Sequence, residues 1–165
     1  LSVNKIGFHF IFIAVVYVIL LIIRIPILIN ADAFLTLDEG FMASDMFDLF
    51  NGGEFSLYPE NVSYAGIFNS LGAIPFFWAF GVSSLTFKLP GILYYALYIW
   101  TFFFLVKRIN QRIAWVSVFL LVVCPPNILI LSTNTYPHIL LAVFANVTFI
   151  IFFSNKENPN NLKVY

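Results

Sequence analysis

Charge is scarce in this sequence, and cysteine is scarcer. The one cysteine, Cys124, lies inside a long apolar run, so the chain can build neither a disulfide framework nor a thiolate metal site. Charged residues are 10% of the 165 and sum to zero net charge. The cations stand at the edges of apolar runs, which leaves no basic face for nucleic acid. Acids are nearly absent outside one stretch: seven of the eight fall between Asp32 and Glu60, and only Glu157 lies elsewhere. No apolar run carries an acid. That counts against a transporter, whose ionisable residues sit mid-span along a pathway. Internal repeats, phosphate-binding loops and nucleotide-fold signatures are also missing.

What remains is membrane material, 61% hydrophobic and 19% aromatic, a composition that excludes a soluble domain. A membrane helix needs about 20 mostly apolar residues. Four runs approach that length: Phe8 to Ile29, Leu85 to Val106, Ile113 to Leu131 and Tyr136 to Phe153. The expected fold class is therefore an all-α membrane protein of about four transmembrane helices, forming one membrane domain over 1–153 with a polar tail over 154–165. A fifth apolar piece, Gly66 to Phe80, is short and broken by Asn69, Gly72 and Pro75. It suits an interfacial or re-entrant helix better than a span. Pro125-Pro126 is expected to kink the third span. The first run is too long for a signal-peptide core and lacks a small-x-small cleavage site, so it reads as a retained anchor.

With four spans, Lys5, Lys107, Arg108, Arg112, Lys156 and Lys163 share one side, six of the eight cations. The positive-inside rule makes that side cytoplasmic, termini included. The loop over 30–84, with its acids, is then extracytoplasmic. Within it, Thr36-Leu37-Asp38-Glu39 fits a capping box. The stretch after it, with Met42, Met46, Leu49 and Phe50 at helical spacing, reads as a short amphipathic helix along the membrane surface. Asn51-Gly52-Gly53 ends that helix, with glycine available for a left-handed turn.

Asp38 and Glu39 are the sharpest chemical candidates. A carboxylate held at a membrane boundary can act as a general base toward an acceptor hydroxyl. The plainer reading is capping, with Glu39 closing the box and Asp38 favouring the positive helix end. The two readings are compatible. Glu60, in the aromatic loop after Tyr58-Pro59, can bind a metal or a sugar hydroxyl, or be a solvated loop acid. Asp32, Asp45, Asp48 and Glu54 read as solvated-face residues. Arg24 and Lys88 are the cations on the outer side. Each can bind the phosphate of a lipid-linked donor or simply snorkel to headgroups. His138 opens the fourth run on the outer side, where it can meet the same cavity as Asp38 or face headgroups. His9 reads as a boundary residue. Asn61-Val62-Ser63 fits an N-glycosylation sequon in the outer loop.

In order along the chain, an anchor helix is followed by an outer loop with Asp38-Glu39 and an amphipathic helix. An aromatic piece then ends in Phe80-Gly81-Val82-Ser83. A span opens on Leu85-Thr86-Phe87-Lys88-Leu89-Pro90 and closes on Lys107-Arg108. Pro125 stands late in the next span, before Ser132. This order resembles the GT-C superfamily of membrane glycosyltransferases: the dolichyl-phosphate-mannose protein mannosyltransferases and the lipid A aminoarabinose transferases. Lys88 stands where such families often carry the arginine of an R-L-P setting. The resemblance implies inverting transfer of a sugar from a polyprenyl-phosphate donor to a lipid, glycan or protein acceptor. Asp38 would be the base, and Lys88 or Arg24 would stabilise the leaving phosphate. By the same resemblance Glu60 would match the loop glutamate that joins a metal site in the aminoarabinose transferases, although its spacing to Phe80-Gly81 departs from theirs; a divalent metal is the one cofactor this allows. Family members have many more spans, so the chain, which opens on Leu1, is expected to be the N-terminal part of such an enzyme or a truncated relative. The alternative from a different class is a non-enzymatic membrane scaffold or assembly subunit. Among partners, membrane lipids are expected and nucleic acid is not.

Overall fold

The computed structural model describes residues 3–58, 67–135 and 137–157. Glu60 and the sequon at Asn61-Val62-Ser63 lie outside the described residues, as does the tail from 158 onward. The helices are α1 (Val3–Ile29), α2 (Leu37–Phe50), α3 (Ala73–Phe80), α4 (Ser84–Lys107), α5 (Gln111–Val122), α6 (Pro126–Leu131) and α7 (Pro137–Glu157). A 3-10 segment, Ile67–Gly72, leads directly into α3. No strand occurs among the described residues. The described chain is thus all-helical. Among the described residues three helices are long and apolar enough to cross a membrane: His9–Ile29 within α1, Ser84–Lys107, and Pro137–Ser154 within α7. The helix α7 continues to Glu157, past the expected end at Phe153.

The third expected span differs. The helix stops at Val122, leaves Val123 to Pro125 outside any helix, and restarts at Pro126 for only six residues. Two prolines in succession explain the break. Neither has an N–H to donate, and each disfavours helical geometry in the residue before it. The sequence predicts a kink there; the structure has a gap.

The order of packing along α4 is regular. Near one end of the bundle the His9 ring sits edge-on to Trp100 and Phe104, and Phe12 stacks on Phe103. Trp115 packs on Phe103 at the start of α5. Further along, Tyr95 donates to the carbonyl of Leu121 at 2.8 Å. At the other end, Lys88 meets Asn134. The segment 111–135 therefore travels most of the length of α4, antiparallel to it. On the opposite flank, buried Asn146 of α7 donates to Thr101 of α4 at 3.2 Å, and Arg108 donates to Ser154. Lipid tails are as apolar as leucine, so close packing and such interhelical hydrogen bonds hold a bundle of this kind together. Phe10, Ile11, Val15, Ile22, Phe119, Leu141, Phe144 and Phe152 point outward with more than half their area exposed, a surface suited to lipid.

A second core sits at the Lys88 end. Met42 and Met46 of α2, Ile67 of the 3-10 segment, Ala73 and Phe77 of α3, and Phe87 of α4 are all buried together. Where this cap faces water, burying each of its large side chains contributes about 1.5–3 kcal/mol. Asp48 and Ser44 face out from the same helix, as its amphipathic pattern predicts. Gly52 ends α2 with φ of 88°, the left-handed turn that glycine adopts without strain.

Candidate functional site

Thr36 caps α2, and the capping box is complete. The Thr36 hydroxyl accepts from the Glu39 amide at 3.3 Å, and the Glu39 carboxylate accepts from the Thr36 amide at 3.2 Å. What the spacing does not reveal is the second partner. Both oxygens of Glu39 accept from the ammonium of Lys88, Oε2 at 3.1 Å and Oε1 at 3.2 Å. Both side chains have no exposed surface. Lys88 is in the first turns of α4, whose start is fixed by its own capping box between Ser83 and Thr86.

A polar turn closes the site. Ser132, Thr133, Asn134 and Thr135, between α6 and α7, are all buried. The Thr135 amide donates to Glu39 Oε1 at 3.3 Å, and Lys88 donates to Asn134 Oδ1 at 3.5 Å. The turn lies so close to α4 that a Cβ on Gly91 would stand 2.8 Å from the carbonyl oxygens of Thr133 and Asn134. Glycine at 91 is therefore what admits the turn. Two charges taken out of water are stable together only if their remaining lone pairs and protons are satisfied. Here the carboxylate takes donors from Thr36, Thr135 and Lys88. The buried Thr135 hydroxyl beside it has no hydrogen-bond partner among the described residues.

The other cation of the pair, Arg24, is also fully buried. Its Nε and Nη2 donate to the Ser132 hydroxyl at 2.8 and 2.6 Å, and Nη1 donates to the Leu20 carbonyl at 3.4 Å. Nη2 lies 3.9 Å from Cys124 Sγ, and the guanidinium stacks over the Tyr95 ring at 5.1 Å. The Ser132 hydroxyl in turn donates to the Leu129 carbonyl at 2.7 Å. Among the described residues no carboxylate pairs with Arg24. Neither Arg24 nor Lys88 snorkels to headgroups; both turn into the protein. Ser132 and Tyr95, which hold Arg24, also line a cavity of about 230 Å³ with Tyr98, Ile128, Ile139 and the exposed His138.

Asp38 stands beside this assembly, half-buried in the first turn of α2. Two and nearly three turns further on, Asp45 and Asp48 border a separate groove with Glu54, Ser56 and Tyr58. The structure thus brings Glu39 and Lys88 together, leaves Asp38 beside Glu39 in the chain, and puts His138 on a neighbouring cavity whose wall includes Ser132 and Tyr95, the residues that hold Arg24. No group of three metal-ligating side chains occurs among the described residues. Ser132, Asn134 and Thr135 were not singled out as site residues from sequence. Their signal is the run Ser132-Thr133-Asn134-Thr135, four small polar residues between two apolar helices. No known protein family, no curated protein and no solved structure matches this chain.

Proposed function

We propose that the chain carries the outer-face catalytic loop of a glycosyltransferase that uses a polyprenyl-phosphate sugar. In this reading Asp38 takes the proton from an acceptor hydroxyl. The hydroxyl oxygen attacks the anomeric carbon, the bond from that carbon to the phosphate oxygen breaks, and the phosphate leaves with the electron pair. The anomeric configuration inverts. The observation that carries the proposal is the anchoring of α2: Glu39, Lys88, Asn134 and Thr135 pin its first turn to the bundle. Asp38 shares that turn, and a base must be held in place to act in a proton transfer. Glu39 is then a positioning residue, because its carboxylate is fully engaged. Lys88 neutralises Glu39, so the donor phosphate falls to Arg24 and Ser132, reached through the cavity at Tyr95, Tyr98 and His138. A buried guanidinium without a carboxylate partner suits a phosphate, which it can grip bidentately.

The reading assumes four crossings. The broken segment α5–α6 makes the third, a course supported by its antiparallel run along α4 from Trp115 to Asn134. Non-helical backbone at membrane depth is tolerated where protein buries it. The loop over 30–84, with α2 and α3 on the membrane surface, then faces the extracytoplasmic side, and Lys107, Arg108 and Arg112 face the cytoplasm. Membranes carrying the chain and loaded with polyprenyl-phosphate hexoses or pentoses test the proposal. Sugar transferred to membrane acceptors with inverted configuration is expected. No transfer from any such donor, with the chain instead recovered in a stable complex with other membrane proteins, supports the scaffold reading and defeats this one.

A further inference from the structure

The far end of the bundle carries a second polar cluster that transfer of a sugar does not use. A cavity of about 530 Å³ opens there, lined by His9, Trp100, Phe104, Lys107, Arg108 and Ile150. We propose that it binds the headgroup of an anionic glycerophospholipid.

Three observations point to that ligand. The first is charge. Lys107 and Arg108 both border the cavity, and among the described residues no carboxylate pairs with Lys107. The Lys107 ammonium does not stretch away into water. It folds back over Phe103 and Phe104, 5.7 and 5.8 Å from the ring centres, which keeps the charge at the rim of the apolar zone. Arg108 reaches across to Ser154 of α7, so its guanidinium bridges two helices at the cavity mouth. The second is a buried donor. Trp100 Nε1 is shielded from solvent and has no hydrogen-bond partner among the described residues. An indole N–H can only donate, and a buried donor left without an acceptor is destabilising. Trp100 lies one turn deeper in the bundle than Phe104, about 6 Å of helical rise. A phosphate at Lys107 and Arg108 would put the same molecule's ester carbonyls at the depth of that N–H. The third is the wall. Phe104 and Ile150 are apolar, as an acyl chain requires. A free phosphate ion would use the cations and leave both the indole and the apolar wall without a partner. Basic pockets between membrane helices are known anion sites for lipid headgroups.

The site does not depend on the enzymatic reading, and its test involves no sugar. The full chain, with Trp78→Phe and Trp115→Phe so that Trp100 is the sole tryptophan, is placed in nanodiscs containing bromine-labelled phosphatidylglycerol or bromine-labelled phosphatidylcholine. Bromine quenches tryptophan fluorescence on contact. Quenching is expected at a lower mole fraction of the anionic lipid. Lys107→Gln should weaken that preference about fivefold, and Lys107→Arg should retain it. Soluble glycerol phosphate at millimolar concentration should leave the quenching unchanged. Equal quenching by the two lipids, or a preference untouched by Lys107→Gln, overturns the proposal. Displacement by glycerol phosphate also overturns it, by assigning the site to a free phosphate. Lys107 is exposed, so its substitution opens no cavity in the core, and a Cys124 thiol melt of each variant checks the fold; native mass spectrometry of the same samples counts bound lipids as a second reading of the same preference.

Discussion

Replacing Lys88 by Met should be among the most damaging single changes in this chain. Unit charges 3.1 Å apart attract by about 5 kcal/mol at an effective dielectric near 20. Desolvation of the two groups offsets much of that gain. The single substitution removes the gain and the ammonium's share of that cost, and leaves the desolvation of Glu39 uncompensated. Glu39 stays buried, with the amides of Thr36 and Thr135 and the Thr36 hydroxyl as its remaining donors. Breaking a buried pair from one side costs about 3–5 kcal/mol, and for a chain of this size that lowers Tm by roughly 10 °C. Glu39→Gln should fall in the same range, because it turns an amide donor toward the ammonium. The double variant Glu39→Leu with Lys88→Met removes the desolvation cost as well. It still loses the capping contact, about 1 kcal/mol, and the bonds to Thr135 and Asn134, but should melt above either single variant, so the two losses are far from additive. The assay is built into the chain: Cys124 is its one cysteine and is buried. A maleimide dye that fluoresces on reacting with the thiol reports unfolding during a temperature ramp in detergent. Single variants that melt with the parent, or a double variant as unstable as the sum of the singles, would refute the reasoning.

Three further outcomes are expected. Gly91→Ala should push the turn at 133–134 away from α4 and cost about 1–3 kcal/mol by overpacking, read by the same dye. Asn146→Val should lose the bond to Thr101 and cost about 1 kcal/mol, since lipid-embedded polar contacts are individually modest; a loss above about 3 kcal/mol would mean Asn146 does more. Pro125→Ala with Pro126→Ala should let α5 run into α6. The helical signal in circular dichroism should rise while Tm falls, because Ser132 and Asn134 would rotate away from Arg24 and Lys88.

Sequence reading reached the elements and stopped short of their partners. The helices α1, α4 and α7 were legible because each rests on a long apolar run. The start and end of α2 were legible because a capping box and a left-handed glycine are local devices, settled within three or four residues. The broken third span was half legible: Pro125-Pro126 marked the place, but the sequence alone could not tell a kink from a gap. The ion pair was not legible at all. Glu39 and Lys88 are 49 residues apart, and each had a sufficient local explanation, as a cap and as a boundary cation. The burial of Arg24 was hidden for the same reason: its partner, Ser132, lies 108 residues away. Nothing periodic links positions that only tertiary packing joins.

In the proposed reaction Asp38, held by the anchored turn, is the group that accepts the proton. The direct measurement is the rate of sugar transfer from a polyprenyl-phosphate donor by Asp38→Asn, with the Cys124 melt taken on the same preparation. General-base catalysis contributes about 10²–10⁴-fold, so the rate should fall by that factor while Tm stays at the parent value. Transfer at the parent rate by a folded Asp38→Asn chain would contradict the account.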